Sequence, residues 1–140
     1  MSTIRIAAAL VVEKNGETLL VRKRGTGIFM QPGGKIEPGE SSLQALVREL
    51  KEEIGLDIDP ETALFLGRFE AAAANEPDHV VEAEVFRVDV DGHTIQPTAE
   101  IEEARWISVR EPTDIPMAPL TEHLILPFYR QTLSAGRAQE

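Results

Sequence analysis

The stretch PGGKIEPGESSLQALVRELKEEIGL, Pro32 to Leu56, decides how the rest of the chain is read. It passes from a glycine pair and a Pro38-Gly39 turn into a run with helical periodicity. Ser41 followed three residues later by Gln44 is a capping box, in which the serine side chain takes a backbone N–H and the glutamine returns one. The spacing therefore predicts a helix starting near Ser41, and Gly55 is placed to end it in a left-handed cap. At 100° per residue, Leu43, Leu46, Val47, Leu50 and Ile54 make one apolar stripe that packs on a sheet. Glu49, Glu52 and Glu53 make a second stripe beside it, with Ala45 one turn earlier. Like charges three and four residues apart cost roughly 0.2–0.5 kcal/mol per pair, so this crowding asks for a partner. Hard carboxylate oxygens beside a glycine loop suit a divalent cation, because Mg²⁺ is commonly held by one or two carboxylates plus substrate phosphates. The competing reading is a solvated helix face, since glutamate is a good helix former.

The chain around this stretch has 140 residues, which suits one domain. It contains no cysteine, which excludes disulfides and thiolate metal sites. A formal charge of −10 argues against a nucleic-acid polymer as partner, because backbone binding needs lysine and arginine to displace counterions. A small anionic substrate stays open if bound metal or local basic residues screen it. The opening MSTIRIAAALVVEKNGE reads as a strand and turn, its apolar run being far short of the ~20 residues that span a bilayer. No small-residue cleavage site follows, so no membrane association is expected and the cytoplasm is the expected compartment.

Residues 3–12 and 18–24 should form a hairpin about Asn15-Gly16. Residues 25–40 hold five of the ten glycines and two of the nine prolines and are expected to be loop. A strand fits 64–72, followed by the polar loop ANEPDH. In VVEAEVFRVDVDG, Phe86, Val88 and Val90 have one parity and Val81, Ala83 and Val85 the other. Either a bulge sits there or the strand is buried on both faces near its start. ARWISV is a short strand, and LTEHLILPFYRQTL a second helix that Pro127 bends or splits. The domain should cover 1–133, with 134–140 a flexible tail. Strands mixed with two helices imply an α+β or α/β sandwich.

Gly34, five residues, Glu40, seven residues, then Arg48-Glu49-Leu50-x-Glu52-Glu53-x-Gly55-Leu56 matches the Nudix box at every specified position. A chance match is on the order of one in 10⁸ per window by average residue usage. The chain resembles a MutT-like Nudix hydrolase, and the hairpin before the box and the strand-Trp-helix pattern after it extend the resemblance over nearly the whole domain. The fold it implies is an α/β/α sandwich with a mixed sheet between helices.

The resemblance implies a Mg²⁺- or Mn²⁺-dependent enzyme that cleaves a nucleoside diphosphate linked to another moiety, with water attacking phosphorus. It implies Glu52 and Glu53 as principal metal ligands, Glu49 as ligand or outer partner, and the Gly34 carbonyl as a further ligand. Arg48 would orient the carboxylates and Glu40 would brace the loop. In AEIEEARW, Glu100 occupies the place of an additional ligand or base, with Glu102 and Glu103 as rivals and a surface acidic loop as the alternative. Lys35 is a candidate phosphate contact. Of Arg22, Lys23 and Arg24 only alternate residues can face one cleft, and Arg22 and Arg24 are preferred over solvated edge-strand residues. Phe29 either stacks on a base or anchors its loop. Trp106 is expected in the core, and His79, His93 and His123 lack ligand spacing.

Substrate signals point less sharply. Ala71 stands near the place of a proline found in ADP-ribose pyrophosphatases, and only alanines stand where diadenosine-polyphosphate hydrolases carry a tyrosine. DIPMAPLTEH lacks the asparagine with which MutT-type enzymes read oxidised purines. The expected reaction is conversion of a (d)NTP to (d)NMP and pyrophosphate. ADP-ribose or another nucleotide derivative as substrate, or a non-catalytic nucleotide-sensing module, are the alternatives. A homodimer is compatible with the sequence.

Overall fold

The computed structural model describes residues 2–74, 76–90, 95–98, 100–111 and 113–138, the last five of these by backbone alone. Among them, seven strands join in one mixed sheet. They are β1 (Ser2–Glu13), β2 (Thr18–Lys23), β3 (Phe29–Met30), β4 (Gly33–Lys35), β5 (Leu64–Ala72), β6 (His79–Val90) and β7 (Ile101–Ile107). Helix α1 spans Ser42–Ile54 and α2 spans Leu126–Ala138. The strand order is β3-β2-β1-β6-β5, with β4 also paired to β1 and β7 to β2. β1 and β6 are parallel in unbroken register from Ser2 opposite His79 to Glu13 opposite Val90.

The apolar run of β1 is nearly continuous because both of its faces are covered. Ala7, Ala9 and Val11 pack beneath α1 against Leu46, Leu50 and Ile54. Ala8, Leu10 and Val12 pack on the opposite side with Ile125, Leu126 and Tyr129. Helix, sheet and helix are thus the three layers expected from the sequence. No described helix is long and apolar enough to cross a membrane.

The change of parity in β6 has a plain cause. Ala83 and Val85 belong to the α2-side core, while Phe86, Val88 and Val90 belong to the α1-side core. The register irregularity lies in the neighbouring strand, between Phe65 and Gly67 of β5. On the α1 side near the start of β6, Glu82 and Glu84 meet Arg5 and Arg68 instead of apolar residues.

Helix α1 begins with the expected capping box at Ser41 and Gln44, and Gly55 ends it at φ 64°. Its buried stripe is displaced from the one drawn above. Ala45 is fully buried and Glu53 is 6% exposed, whereas Val47 is only half-buried. The turn of the helix toward its acidic side follows from β4, which lies against that side. Residues 25–40 are accordingly not all loop, for β3 and β4 form within them.

The second helix changes its winding just before Pro127 and runs on through it. Leu120–Ile125 is a π-helical segment that runs directly into α2, and the Leu126 N–H donates to the Thr121 carbonyl five residues back. Proline has no N–H to give to the next bond, and the π segment changes the pairing just ahead of it. The helical backbone of α2 continues to Ala138.

Candidate active site

β1 and β2 pair only at the hairpin, Val12 opposite Thr18, and then part. The opened edge of β1 is closed by the glycine-rich segment. The Gln31 Nε2 donates to the Ala9 carbonyl at 3.1 Å, the Ala9 N–H donates to the Pro32 carbonyl at 2.9 Å, and Gly33–Lys35 then pair with Ala8–Ile6. Gly33 has φ 143°, and a Cβ there would lie 2.9 Å from the Ala8 Cα. A Cβ on Gly34 would lie 2.6 and 2.7 Å from the two carboxylate oxygens of Glu49. The pair of glycines is what lets β4 press against the acidic face of α1.

That contact sets the electrostatics. The Gly33 N–H donates to Glu53 Oε1 at 3.0 Å. Burial pushes the Glu53 carboxyl up to about 7, and neighbouring Glu49 and Glu100 add to the rise while the Gly33 N–H and Lys23 oppose it. Burial likewise raises Glu49, against the pull of Arg48. Arg48 grips Glu40 with two bonds, Nε to Oε2 at 2.8 Å and Nη2 to Oε1 at 2.9 Å. Its Nη1 donates to Glu49 Oε1 at 2.7 Å and its Nη2 to the Lys35 carbonyl at 3.1 Å. These bonds hold the Glu40 carboxyl down at about 2. Arg48 thus ties the loop, β4 and the carboxylate stripe together, and Glu40 takes one more bond from the Glu37 N–H at 3.0 Å.

Glu49, Glu52, Glu53, Thr98 and Glu100 line one cavity of about 330 Å³. Of the three acids before Trp106, Glu100 alone lines it. Glu102 is held by Arg24 at 2.5 Å and Glu103 by Arg105 at 2.6 Å, both on β7 instead of in a loop. Thr98 was not singled out from the sequence. Its N–H donates to the Glu53 carbonyl at 2.9 Å, and its hydroxyl donates to the Glu52 carbonyl. Together with the Gln96 N–H on the Ile54 carbonyl at 2.9 Å, it satisfies backbone groups that every helix C-terminus leaves open. No local pattern announces a cap supplied by a segment more than forty residues downstream.

A second cavity, also about 330 Å³, is bordered by Gly33 and Gly34, the residues that contact Glu53 and Glu49 of the first. Ile4, Ile6 and Val81 give it apolar walls, and Lys23, Arg24 and Lys35, opposed by Glu76 alone, give it net positive charge. Lys23 replaces the expected Arg22, because the β2–β7 register shifts between these two residues. Arg22 instead donates to the Thr26 carbonyl at 2.8 Å and lies over the Phe29 ring. Phe29 is 4% exposed in the α2-side core, and its backbone bonds Pro116 and Ala118. Its packing matches the loop-anchor alternative and leaves no face open for a base. Trp106 packs against the α1-side core as expected. His79 bonds the Pro77 carbonyl, His123 pairs with Glu122, and His93 lies outside the described residues.

Among the described residues no three carboxylates already converge as a ligand group. Glu49 Oε1 is turned to Arg48 and Glu53 Oε1 to the Gly33 N–H. The donor set still fits Mg²⁺ or Mn²⁺. It is all hard oxygen, it surrounds a cavity of sufficient size, and its mutual repulsion is what a cation relieves.

Three comparisons bear on identity. A model described as the NUDIX domain matches residues 2–128. An uncharacterised Nudix hydrolase of Bacillus subtilis is 32% identical over 89% of this chain and 79% of its own length. A CTP pyrophosphohydrolase of Escherichia coli is 31% identical over 91% of this chain and 93% of its own. In fold, the crystal structure of a MutT protein from Methanosarcina mazei superposes with a TM-score of 0.76 over 96% of both chains at 22% identity. With the three box glutamates Glu49, Glu52 and Glu53 on one cavity and the family model matching nearly end to end, the chain belongs to the Nudix family of hydrolases.

Proposed function

We propose that the protein is a Mg²⁺-dependent pyrophosphohydrolase of free nucleotides in the cytoplasm, converting a (d)NTP to (d)NMP and pyrophosphate. The observation that carries this reading is the division of charge about Gly33–Gly34. Four carboxylates line one cavity, and three cations against the single acid Glu76, with apolar walls, line the other, an arrangement suited to a phosphate chain crossing the glycines. The likeness to a CTP pyrophosphohydrolase supports a nucleoside triphosphate as substrate.

Glu49, Glu52, Glu53 and Glu100, with the Gly34 carbonyl, would hold the metal. When bound, Mg²⁺ neutralises phosphate charge and makes a coordinated water more acidic. Lys23, Arg24 and Lys35 draw the phosphates toward the glycines. Glu53, held on the Gly33 N–H at 3.0 Å, is the carboxylate that would accept the proton of the attacking water. The new P–O bond forms as the anhydride bond between the α and β phosphorus atoms breaks, and the bridging oxygen leaves with the electron pair on the monophosphate or on pyrophosphate. Arg48 keeps Glu49 and Glu40 aligned without touching the reacting atoms.

The test is a panel of ribo- and deoxyribonucleoside triphosphates with Mg²⁺, followed by separate assays for pyrophosphate and orthophosphate. Release of pyrophosphate together with the monophosphate is expected. No turnover of any nucleotide would overturn the reading.

A further inference from the structure

β5 is an outer strand, joined to β6 on one side and, among the described residues, to no strand on the other. The Ala73 N–H donates to the His79 carbonyl at 3.0 Å. The alternation of an antiparallel pair therefore turns the N–H and C=O groups of Arg68, Glu70 and Ala72 outward. An open edge of this kind is a template for a further strand. The two large apolar side chains left exposed among the described residues also lie on it, Leu64 at 60% and Phe65 at 52%.

The charges on the strand say which chain fits. Glu70 lies directly opposite Glu82 of β6, a like-charged cross-strand pair that is unfavourable. No cation pairs with Glu70 among the described residues. Arg68 stands 3.6 and 3.9 Å from Glu82 and Glu84, beyond hydrogen-bond reach. Two copies of β5 running antiparallel about an axis perpendicular to the sheet keep residues of one face together. A centre at Arg68 would set arginine on arginine, and one at Glu70 glutamate on glutamate. A centre at Phe69 sets Arg68 against the partner's Glu70, and does so twice. The bulky end, Leu64 to Leu66, then falls beside the partner's Ala72, the partner's Ala73 and the partner's Ala74.

We propose that β5 is a dimerisation edge that pairs antiparallel with β5 of a second copy about an axis at Phe69. The sheet becomes continuous across both copies, and the two-fold closes the assembly at two chains. The formal charge of −10 on each copy opposes association, but charges farther apart than about 8 Å are screened at physiological salt. The proposal stands apart from the nucleotide reading.

Sedimentation velocity of the full chain, from micromolar to submillimolar concentration at physiological salt, tests it. The mass is expected to rise from 15.4 kDa to twice that. Arg68→Glu and Glu70→Arg each set like charges against each other across the axis, and each is expected to weaken the dimer at least about tenfold. The double variant is expected to return to within about threefold of wild type. Glu70→Arg also removes the clash with Glu82, so its loss of dimer should come without a lower melting temperature. In wild type, exchange of the Arg68, Glu70 and Ala72 amide hydrogens should slow as concentration rises, a readout independent of any variant. A monomer at every concentration overturns the proposal. So does a dimer that neither single variant weakens, one that the double variant fails to restore, or one in which those amides stay unprotected.

Discussion

The backbone amide of Gly33 donates to Glu53 Oε1 at 3.0 Å, in a part-buried contact on the buried side of Glu53. This one bond joins the strand that closes the opened edge of β1 to the acidic face of α1. It works against the shift of the most strongly shifted carboxyl of the cavity, which burial raises. Ionised Glu53 is disfavoured in the folded protein, at about 7 against an ordinary 4.5. The unfolded chain therefore releases this proton first, and stability falls as pH rises from 4.5 to 7, then levels off. The loss is about 3 kcal/mol at 1.36 kcal/mol per unit. Urea unfolding without metal at pH 5 and pH 8 measures it, and Glu53→Gln is expected to flatten the difference. Glu40 has the opposite sign, since Arg48 holds it at about 2. Its contribution is complete above 4.5 and disappears as pH falls toward 2, so the two groups act in separate windows.

Glu53→Gln should also lower kcat by roughly 10²–10⁴, the usual worth of a positioned base, with the fold intact because an amide oxygen can still accept the Gly33 N–H. A nucleotide sensor without catalysis would keep its ligand response unchanged in this variant.

The two glycines should fail differently. In Gly33→Ala the new Cβ meets the backbone of β1 at a φ of 143°, which strains the fold by on the order of 3 kcal/mol. In Gly34→Ala the nearest atoms it meets are those of the Glu49 carboxylate, a side chain that can move. Thermal melts should show a large loss for the first and a small one for the second, while activity assays show a severe loss for both.

Arg48→Lys keeps the charge but cannot form the fork that holds Glu40. As a positioning change it is expected to weaken Mg²⁺ activation by about 10–100-fold. A shift in the Mg²⁺ concentration for half-maximal rate, larger than any shift in nucleotide KM, identifies the effect.

Away from the site, the Thr121 hydroxyl is fully buried in the π-helical segment with no partner among the described residues. Thr121→Val should therefore be neutral or stabilising by up to about 1 kcal/mol, read as a higher melting temperature.

What the sequence reveals about this protein is mostly local. Ser41, Gln44 and Gly55 act through bonds within one helix, so their spacing is enough to place its ends. The turn of α1 that buries Ala45 and Glu53 is not local, because it depends on β4 docking against that face. Alternation along β2 favours Arg22 and Arg24, but a register shift against β7 brings Lys23 and Arg24 to the cavity. Such a shift is made by two strands some eighty residues apart and leaves no mark in either alone. Thr98 is hidden for the same reason. Phe29 fits either a ring platform or an anchor by composition, and only its packing tells the two apart.

Titration calorimetry with Mn²⁺ asks most directly whether the acids along α1 seat a divalent cation. Wild type should bind Mn²⁺ with measurable affinity that tightens when nucleotide is present. Glu52→Gln and Glu53→Gln should each weaken it at least tenfold. Superimposable isotherms for wild type and both variants would contradict the account.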